Sequence, residues 1–267
     1  MVSRVLPRAV RGHLRAFYAY ARLVDELGDA YEGDRLAALD EMEEQTRAAL
    51  VDSCAPDVWP VVADGARSVS GLGADAQPLF DLIAANRQDQ SVHEYATFDD
   101  LLGYCALSAN PVGRLVLAAF GADGDDRARW SDSICTGLQL AEHWQDVAED
   151  AAAGRIYLPQ EDLPRFGVDR TALTAGAPAS REFRALMVFE VARARGFLDG
   201  GKPLIASLQG SARWAVAGFW AGGHGALNAI AARRFDVLAG SPRTSRVGTL
   251  TRAISALIRP AEQQETA

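Results

Sequence analysis

Clusters of Gly, Pro, Asp and Ser punctuate the sequence at residues 52–60, 71–78, 121–126, 173–180, 199–203 and 239–242, and clusters of this composition end regular elements. The segments between them are long and rich in Ala, Leu and Arg. Their apolar residues recur with a period near 3.6, and no run alternates for long with period two. That pattern is written for helices, so the predicted fold class is all-α. A chain of 267 residues, 49% of them hydrophobic, can bury one sizeable core. A single domain over residues 1–267 is therefore expected. Asn110 and Pro111 interrupt an otherwise helical stretch at 97–119. A proline lacks the donor that a continuing helix needs, so the helix is predicted to kink or break there.

Charge and cysteine content remove several classes of function. The net charge of −8 and pI near 5.1 lack the basic footprint of a nucleic-acid binder. Cys54, Cys105 and Cys135 are odd in number and widely spaced, which suggests neither a disulfide framework nor a zinc site and fits a reducing cytoplasm. The first 15 residues carry charge throughout, with Arg4, Arg8, Arg11 and Arg15 at helical spacing. This is no signal peptide; the arginine stripe reads first as a solvated helix face. The longest uncharged run, Trp214 to Ala232, is interrupted by Gly218, Gly222, Gly223, His224, Gly225 and Asn228. It makes a poor membrane span, and a buried helix lining an apolar cavity is expected instead. The GGHG within it follows no strand and precedes no GK[ST], so it is not a phosphate loop.

Two stretches carry acids that a helix would bring together. In Gln139–Pro159, QLAEHWQDVAEDAAAGRIYLP, Glu142, Asp146 and Asp150 recur every four residues. On a helix rising ~1.5 Å per residue they would stand roughly 6 Å apart along one edge. In Tyr18–Ala30, YAYARLVDELGDA, the residues Tyr18, Arg22, Asp25 and Asp29 share a face. Like charges at this spacing repel unless something positive lies between them. An isolated acid pair is ordinarily a solvated helix face. Here the neighbours Phe17, Tyr20, Leu23, Val24 and Leu27, and Leu138, Leu140, Trp144 and Val147, are apolar, so both helices are expected to be buried over much of their circumference, where acids need partners. Two such helices facing each other would cage Mg²⁺ and a polyanion. A di-iron site is disfavoured, because the ExxH signature is absent at His13, His93, His143 and His224.

These two stretches, with YCALSANPVGRL at Tyr104–Leu115 between them, resemble in order and spacing the squalene and phytoene synthases, which join or rearrange isoprenoid diphosphates head to head. The resemblance covers nearly the whole chain. The wording ANPVGRL, LAEHWQDV and FDVLAGSPRTSR is most similar to the bacterial hydroxysqualene synthase branch of hopanoid biosynthesis. It implies an isoprenoid-synthase helical bundle with a central cavity, and Mg²⁺ held by Asp25, Asp29, Glu142, Asp146 and Asp150. It further implies that Arg22 and Arg155 bind the substrate diphosphate, that Tyr18, Tyr104 and Tyr157 lie near the reacting groups, and that Gln139 holds a metal-bound or reacting water.

The sequence departs from the family in four places. Glu142 stands where Asn is usual, adding a negative charge beside the metal. The first acid motif reads Asp25, Glu26, Asp29, Ala30 and lacks a flanking acid. Gln145 replaces an Arg, as it often does in the hydroxysqualene branch. A family segment preceding the position of Val2 is missing, so either the start lies further upstream or the site lacks that element.

The function that the resemblance implies is ionisation of presqualene diphosphate, opening of its cyclopropane and capture of the cation by water, giving hydroxysqualene and diphosphate. Condensation of prenyl diphosphates such as farnesyl diphosphate to presqualene diphosphate, squalene or phytoene is the enzymatic alternative. A silent relative acting as a binding or assembly module is the non-enzymatic one. Expected partners are the prenyl diphosphate and the upstream and downstream enzymes of the squalene pathway, with no nucleic acid. Greasy substrate and product favour loose membrane association.

Overall fold

The computed structural model describes residues 6–55, 57–173, 176 and 178–242. Val2 and Arg4 near the start, and residues 243–246 of the tail match, lie outside the described residues. The fold is all-α, with no strand among the described residues. In chain order the helices are α1 (Arg8–Asp29), α2 (Arg35–Val51), α3 (Pro60–Leu72), α4 (Gln77–Gln88), α5 (Phe98–Ser108), α6 (Asn110–Ala119), α7 (Asp125–Gln145), α8 (Val147–Ala152), α9 (Asp162–Phe166), α10 (Arg181–Gly200), α11 (Pro203–Ser207) and α12 (Gly210–Ala232).

Local chemistry sets these boundaries. The Asp34 carboxylate accepts the Ala37 N–H to start α2, and the Ser180 hydroxyl accepts the Phe183 N–H to start α10; each satisfies a donor the first turn leaves open. Thr97 and Asp100 cap α5 reciprocally, side chain to backbone in both directions. Pro60 opens α3, and Gly73, in the left-handed conformation at φ +62°, closes it. Helix α5 ends at Ser108 and α6 begins at Asn110, so the Asn110–Pro111 break falls where the sequence predicts it.

The described residues form two compact units. One comprises the chain to Val92 together with Tyr104–Ala128, and the other comprises His93–Gly103 together with the chain from Arg129 onward. In the first unit α1 to α4 and α6 pack around Phe17, Tyr20, Val24, Leu39, Met42, Val62, Leu79, Ile83 and Leu115. The Tyr20 hydroxyl, wholly buried, bonds the Thr46 hydroxyl at 2.8 Å, which removes the cost of an unpaired polar group in that core.

The core of the second unit includes Trp144, Phe183, Leu186, Met187, Leu198 and Leu227. Glycines allow its helices to approach. A Cβ on Gly137 of α7 would stand 2.8 Å from the Leu198 side chain of α10, and one on Gly223 of α12 would stand 2.9 Å from it. The run Trp214–Ala232 lies within α12, a helix buried along Val216, Ala217, Ala221, Leu227 and Ile230, with Trp214 and Phe219 exposed. By length and composition the stretch Phe98–Ala119 would suffice to cross a membrane, but it is divided between α5 and α6. After α12 the chain turns through Arg234 and Phe235, at φ +54° and +60°. Two consecutive side chains in the left-handed region cost about 1 kcal/mol or more each, and burial of Val237 and Leu238 immediately afterwards offsets it.

Candidate active site

The first acid set lies on the second half of α1. The periodicity of this helix divides it cleanly: Phe17, Tyr20, Val24 and Gly28 are buried, whereas Tyr18, Arg22, Asp25 and Asp29 are exposed. The four predicted residues therefore share a face, as the i, i+4, i+7, i+11 spacing requires. Gly28 has a spatial reason. A Cβ there would stand 2.2 Å from Asn86 Oδ1, so only glycine lets α4 bring the Asn86 amide against this turn of α1. Asn86, itself buried, donates through Nδ2 to the Leu82 carbonyl at 3.2 Å and to Asp25 Oδ1 at 3.5 Å. Gln90 Nε2 donates to the Gly28 carbonyl at 3.0 Å. Partial burial pushes the Asp25 carboxyl up, the Asn86 bond opposes this, Asp29 adds to it and Arg22 relieves it. In the same unit the Tyr104 ring is buried and its hydroxyl donates to Asp89 Oδ2 at 2.8 Å.

The second set sits where α7 gives way to α8. Asp146 occupies the junction at φ −104°, ψ +14°, yet the i to i−4 bonds continue across it, from Asp146 N to the Glu142 carbonyl at 3.1 Å and from Asp150 N to the Asp146 carbonyl at 2.8 Å. The four-residue register of Glu142, Asp146 and Asp150 survives a local bend. Opposite the acids, Trp144 is fully buried and donates Nε1–H to the Glu190 carbonyl at 3.1 Å.

His143 is buried against Tyr157, with ring centroids 3.7 Å apart, and Tyr157 stacks in turn on Tyr95 at 5.8 Å. Burial pushes the imidazole down to about 3, so it is neutral, and its Nε2 lies 3.1 Å from Gln139 Nε2. The donor on the Gln139 side requires His143 to carry its proton on Nδ1. Gly154, at φ +83°, turns the chain out of α8 into an extended leg. There Ile156 N–H bonds the His93 carbonyl at 2.8 Å and Gln160 N–H bonds that of Tyr95 at 2.9 Å. This leg carries Arg155 and the buried Tyr157.

Electrostatics single out Asp150. Burial first, then Asp146, and more weakly Glu142 and Glu149, push its carboxyl up to about 7, while the Arg155 guanidinium pulls it back. Burial and Asp146 also raise Glu142. A set of carboxylates held together against their own repulsion is built for a cation. Among the described residues no group of three or more His, Cys, Asp or Glu side chains encloses a metal position. Mg²⁺ does not need one, since it is commonly held by one or two carboxylates with substrate phosphate oxygens and water completing its shell. The hard oxygen donors of both sets fit that mode of binding.

Sequence reading omitted Asn86, Asp89 and Ser241. The Ser241 hydroxyl lies 2.6 Å from Asp146 Oδ1 and 2.9 Å from Glu149 Oε1. The one signal pointing to Asn86 is a pair of amides four residues apart, Asn86 near the end of α4 and Gln90 just beyond it.

An all-α fold carrying acid motifs on two helices, with arginine and tyrosine alongside each, defines the isoprenoid-synthase class of protein. The squalene/phytoene synthase family profile matches residues 1–248, through both compact units. The chain belongs to the squalene/phytoene synthase family, whose members are prenyltransferase-type isoprenoid synthases performing head-to-head prenyl diphosphate condensation, and it is therefore an enzyme. It is similar to the crystal structure of squalene synthase HpnC from Alicyclobacillus acidocaldarius, at 39% identity and a TM-score of 0.83 with 88% of each chain covered. It is 34% identical over 229 residues to the phytoene synthase of Arthrospira platensis, covering 80% of this chain and 73% of that one. It is 35% identical over 160 residues to the hydroxysqualene synthase of Zymomonas mobilis, covering 58% of this chain and 52% of that one.

Proposed function

We propose that this protein is a hydroxysqualene synthase acting on presqualene diphosphate. The observation that carries the chemistry is the carboxylate set around the α7–α8 junction, where Asp150 is lifted to about 7 among Asp146, Glu142 and Glu149. Carboxylates grouped in this way suit a divalent cation that shares its shell with substrate phosphate oxygens. The similarity to HpnC and to a hydroxysqualene synthase, and Gln145 beside Asp146, support the branch.

Mg²⁺, when bound, supplies Lewis-acid stabilisation of the charge that grows on the departing diphosphate. Asp25 and Asp29 of the first acid set, and Glu142, Asp146 and Asp150 of the second, are the carboxylates that would hold it. Arg22 and Arg155 give charge-assisted hydrogen bonds to the diphosphate. The rings of Tyr18, Tyr104 and Tyr157 shelter the carbocation left when the C–O bond breaks. The Tyr104 hydroxyl is engaged by Asp89, so this side chain acts through its ring. Gln139, whose amide nitrogen is engaged with His143, retains a carbonyl oxygen to orient the water that attacks the rearranged cation. The enzyme works in the cytoplasm, as one family domain, in loose contact with a membrane that holds its greasy substrate and product.

A second reading, condensation of two prenyl diphosphates, is favoured by the identity to phytoene synthase over most of the chain. Incubation with presqualene diphosphate or farnesyl diphosphate, each with Mg²⁺ and each beside an Asp146→Ala control, separates the two. Hydroxysqualene from the first substrate, absent in the control, is the expected outcome. Turnover of farnesyl diphosphate alone establishes the second reading, and no turnover of either overturns both.

A further inference from the structure

The segment after α12 returns to the second acid set and is fixed along its length. Arg184 Nη2 pairs with Asp236 at 2.6 Å, Val237 and Leu238 are buried, and the Leu238 carbonyl accepts the Gly176 N–H at 2.9 Å. Gly240, at φ +122°, then turns the chain so that Ser241 meets Asp146. Gln145 Nε2 donates to the carbonyl of the next residue, Pro242. The segment 236–242 is thus a strap, anchored by apolar burial at one end and latched by Gln145 at the other.

We propose that Ser241 is a positioning residue for Asp146, held in place by the Gln145–Pro242 latch, and that it orients the carboxylate for Mg²⁺ and diphosphate. Asp146 stands at a bend between two helices and makes no capping bond with its own side chain, so the backbone leaves the carboxylate free to rotate. Its neighbours Glu142, Glu149 and Asp150 repel it. The Ser241 hydroxyl, 2.6 Å from Oδ1, fixes that oxygen and leaves Oδ2 for a ligand. The one hydroxyl proton is shared with Glu149 Oε1 at 2.9 Å, so the same hydroxyl bridges two mutually repelling carboxylates. Partners that orient metal-binding carboxylates in this way commonly govern metal affinity. The latch gives Gln145 a physical role: a neutral amide reaches a backbone carbonyl beside the acids. This inference rests on the metal-binding reading of the acid set given above.

The test is heat stabilisation of the full chain by Mg²⁺ at fixed inorganic diphosphate, titrated for the wild type, Ser241→Ala, Ser241→Thr and Gln145→Ala. The Mg²⁺ concentration giving half of the stabilisation should rise about 10-fold in Ser241→Ala. It should return to within about 2-fold of wild type in Ser241→Thr, which keeps the hydroxyl, and should rise in Gln145→Ala. Amide exchange at 238–241 should quicken in Gln145→Ala, a change that metal loading does not produce. A wild type that responds to Mg²⁺ and a Ser241→Ala variant with the same half-point overturn the positioning role. A wild type that does not respond overturns the metal reading itself, and the positioning role with it.

Discussion

Replacing Asp150 by Asn should make the metal-free protein more stable while abolishing its response to Mg²⁺ and diphosphate. The Asp150 carboxyl titrates near 7 because it is partly buried beside Asp146, Glu142 and Glu149. A carboxyl moved that far from its ordinary value would cost roughly 4 kcal/mol at pH 8 if fully buried. Asp150 is only half-buried, so solvent screening reduces this to about 1–2 kcal/mol. The folded-state value lies above the unfolded one, so the fold holds a proton that the unfolded chain has lost. The contribution is fully present below pH ~4 and is lost as pH rises through about 7. Asn removes the charge and keeps the shape. In EDTA at pH 8 the variant should melt about 3–6 °C above wild type, and the two should converge near pH 4. Adding Mg²⁺ with inorganic diphosphate should raise the melting temperature of the wild type, as a ligand specific to the folded state must, and leave the variant unmoved. A variant that melts at or below the wild type at pH 8, or a gap that does not shrink toward pH 4, would refute the view that these acids are held against their own repulsion.

Two further outcomes follow from packing and charge. Gly28→Ala places a methyl 2.2 Å from Asn86 Oδ1, so α4 must shift or Asn86 must leave Asp25. A cost of about 1–3 kcal/mol is expected, read as a lower urea midpoint with an unchanged slope, and an unaltered midpoint would contradict the account of the α1–α4 contact. Burial pushes the Glu190 carboxyl up to about 8 in spite of Arg193, so its contribution to folding declines as pH rises from about 4.5 through 8. Glu190→Gln should flatten that decline in a series of melts, whereas parallel curves would count against the assignment.

Much of the fold is legible in the sequence because its signals are local. The clusters at 52–60, 71–78, 121–126 and 199–203 fall at junctions between helices, whereas that at 239–242 comes after α12 has already ended at Ala232, and Pro111 breaks its helix for the reason any proline does. The face shared by Tyr18, Arg22, Asp25 and Asp29 is equally local, being a matter of helical period. The bend at Asp146 is not, since no Gly or Pro marks it. The residues that orient the acids are legible only in three dimensions. Asn86 reaches Asp25 across 61 positions, and Ser241 reaches Asp146 across 95. Nothing in the periodicity of either segment records its partner. His143 illustrates the other limit: the absent ExxH signature argues only against a di-iron site, whereas its neutrality follows from burial against Tyr157, a contact that no local pattern records.

The most direct test of hydroxysqualene formation is to run the reaction on presqualene diphosphate and Mg²⁺ in ¹⁸O-labelled water. Capture of a carbocation by water predicts an alcohol carrying the label, and an unlabelled alcohol, with the original C–O bond retained, would contradict ionisation altogether.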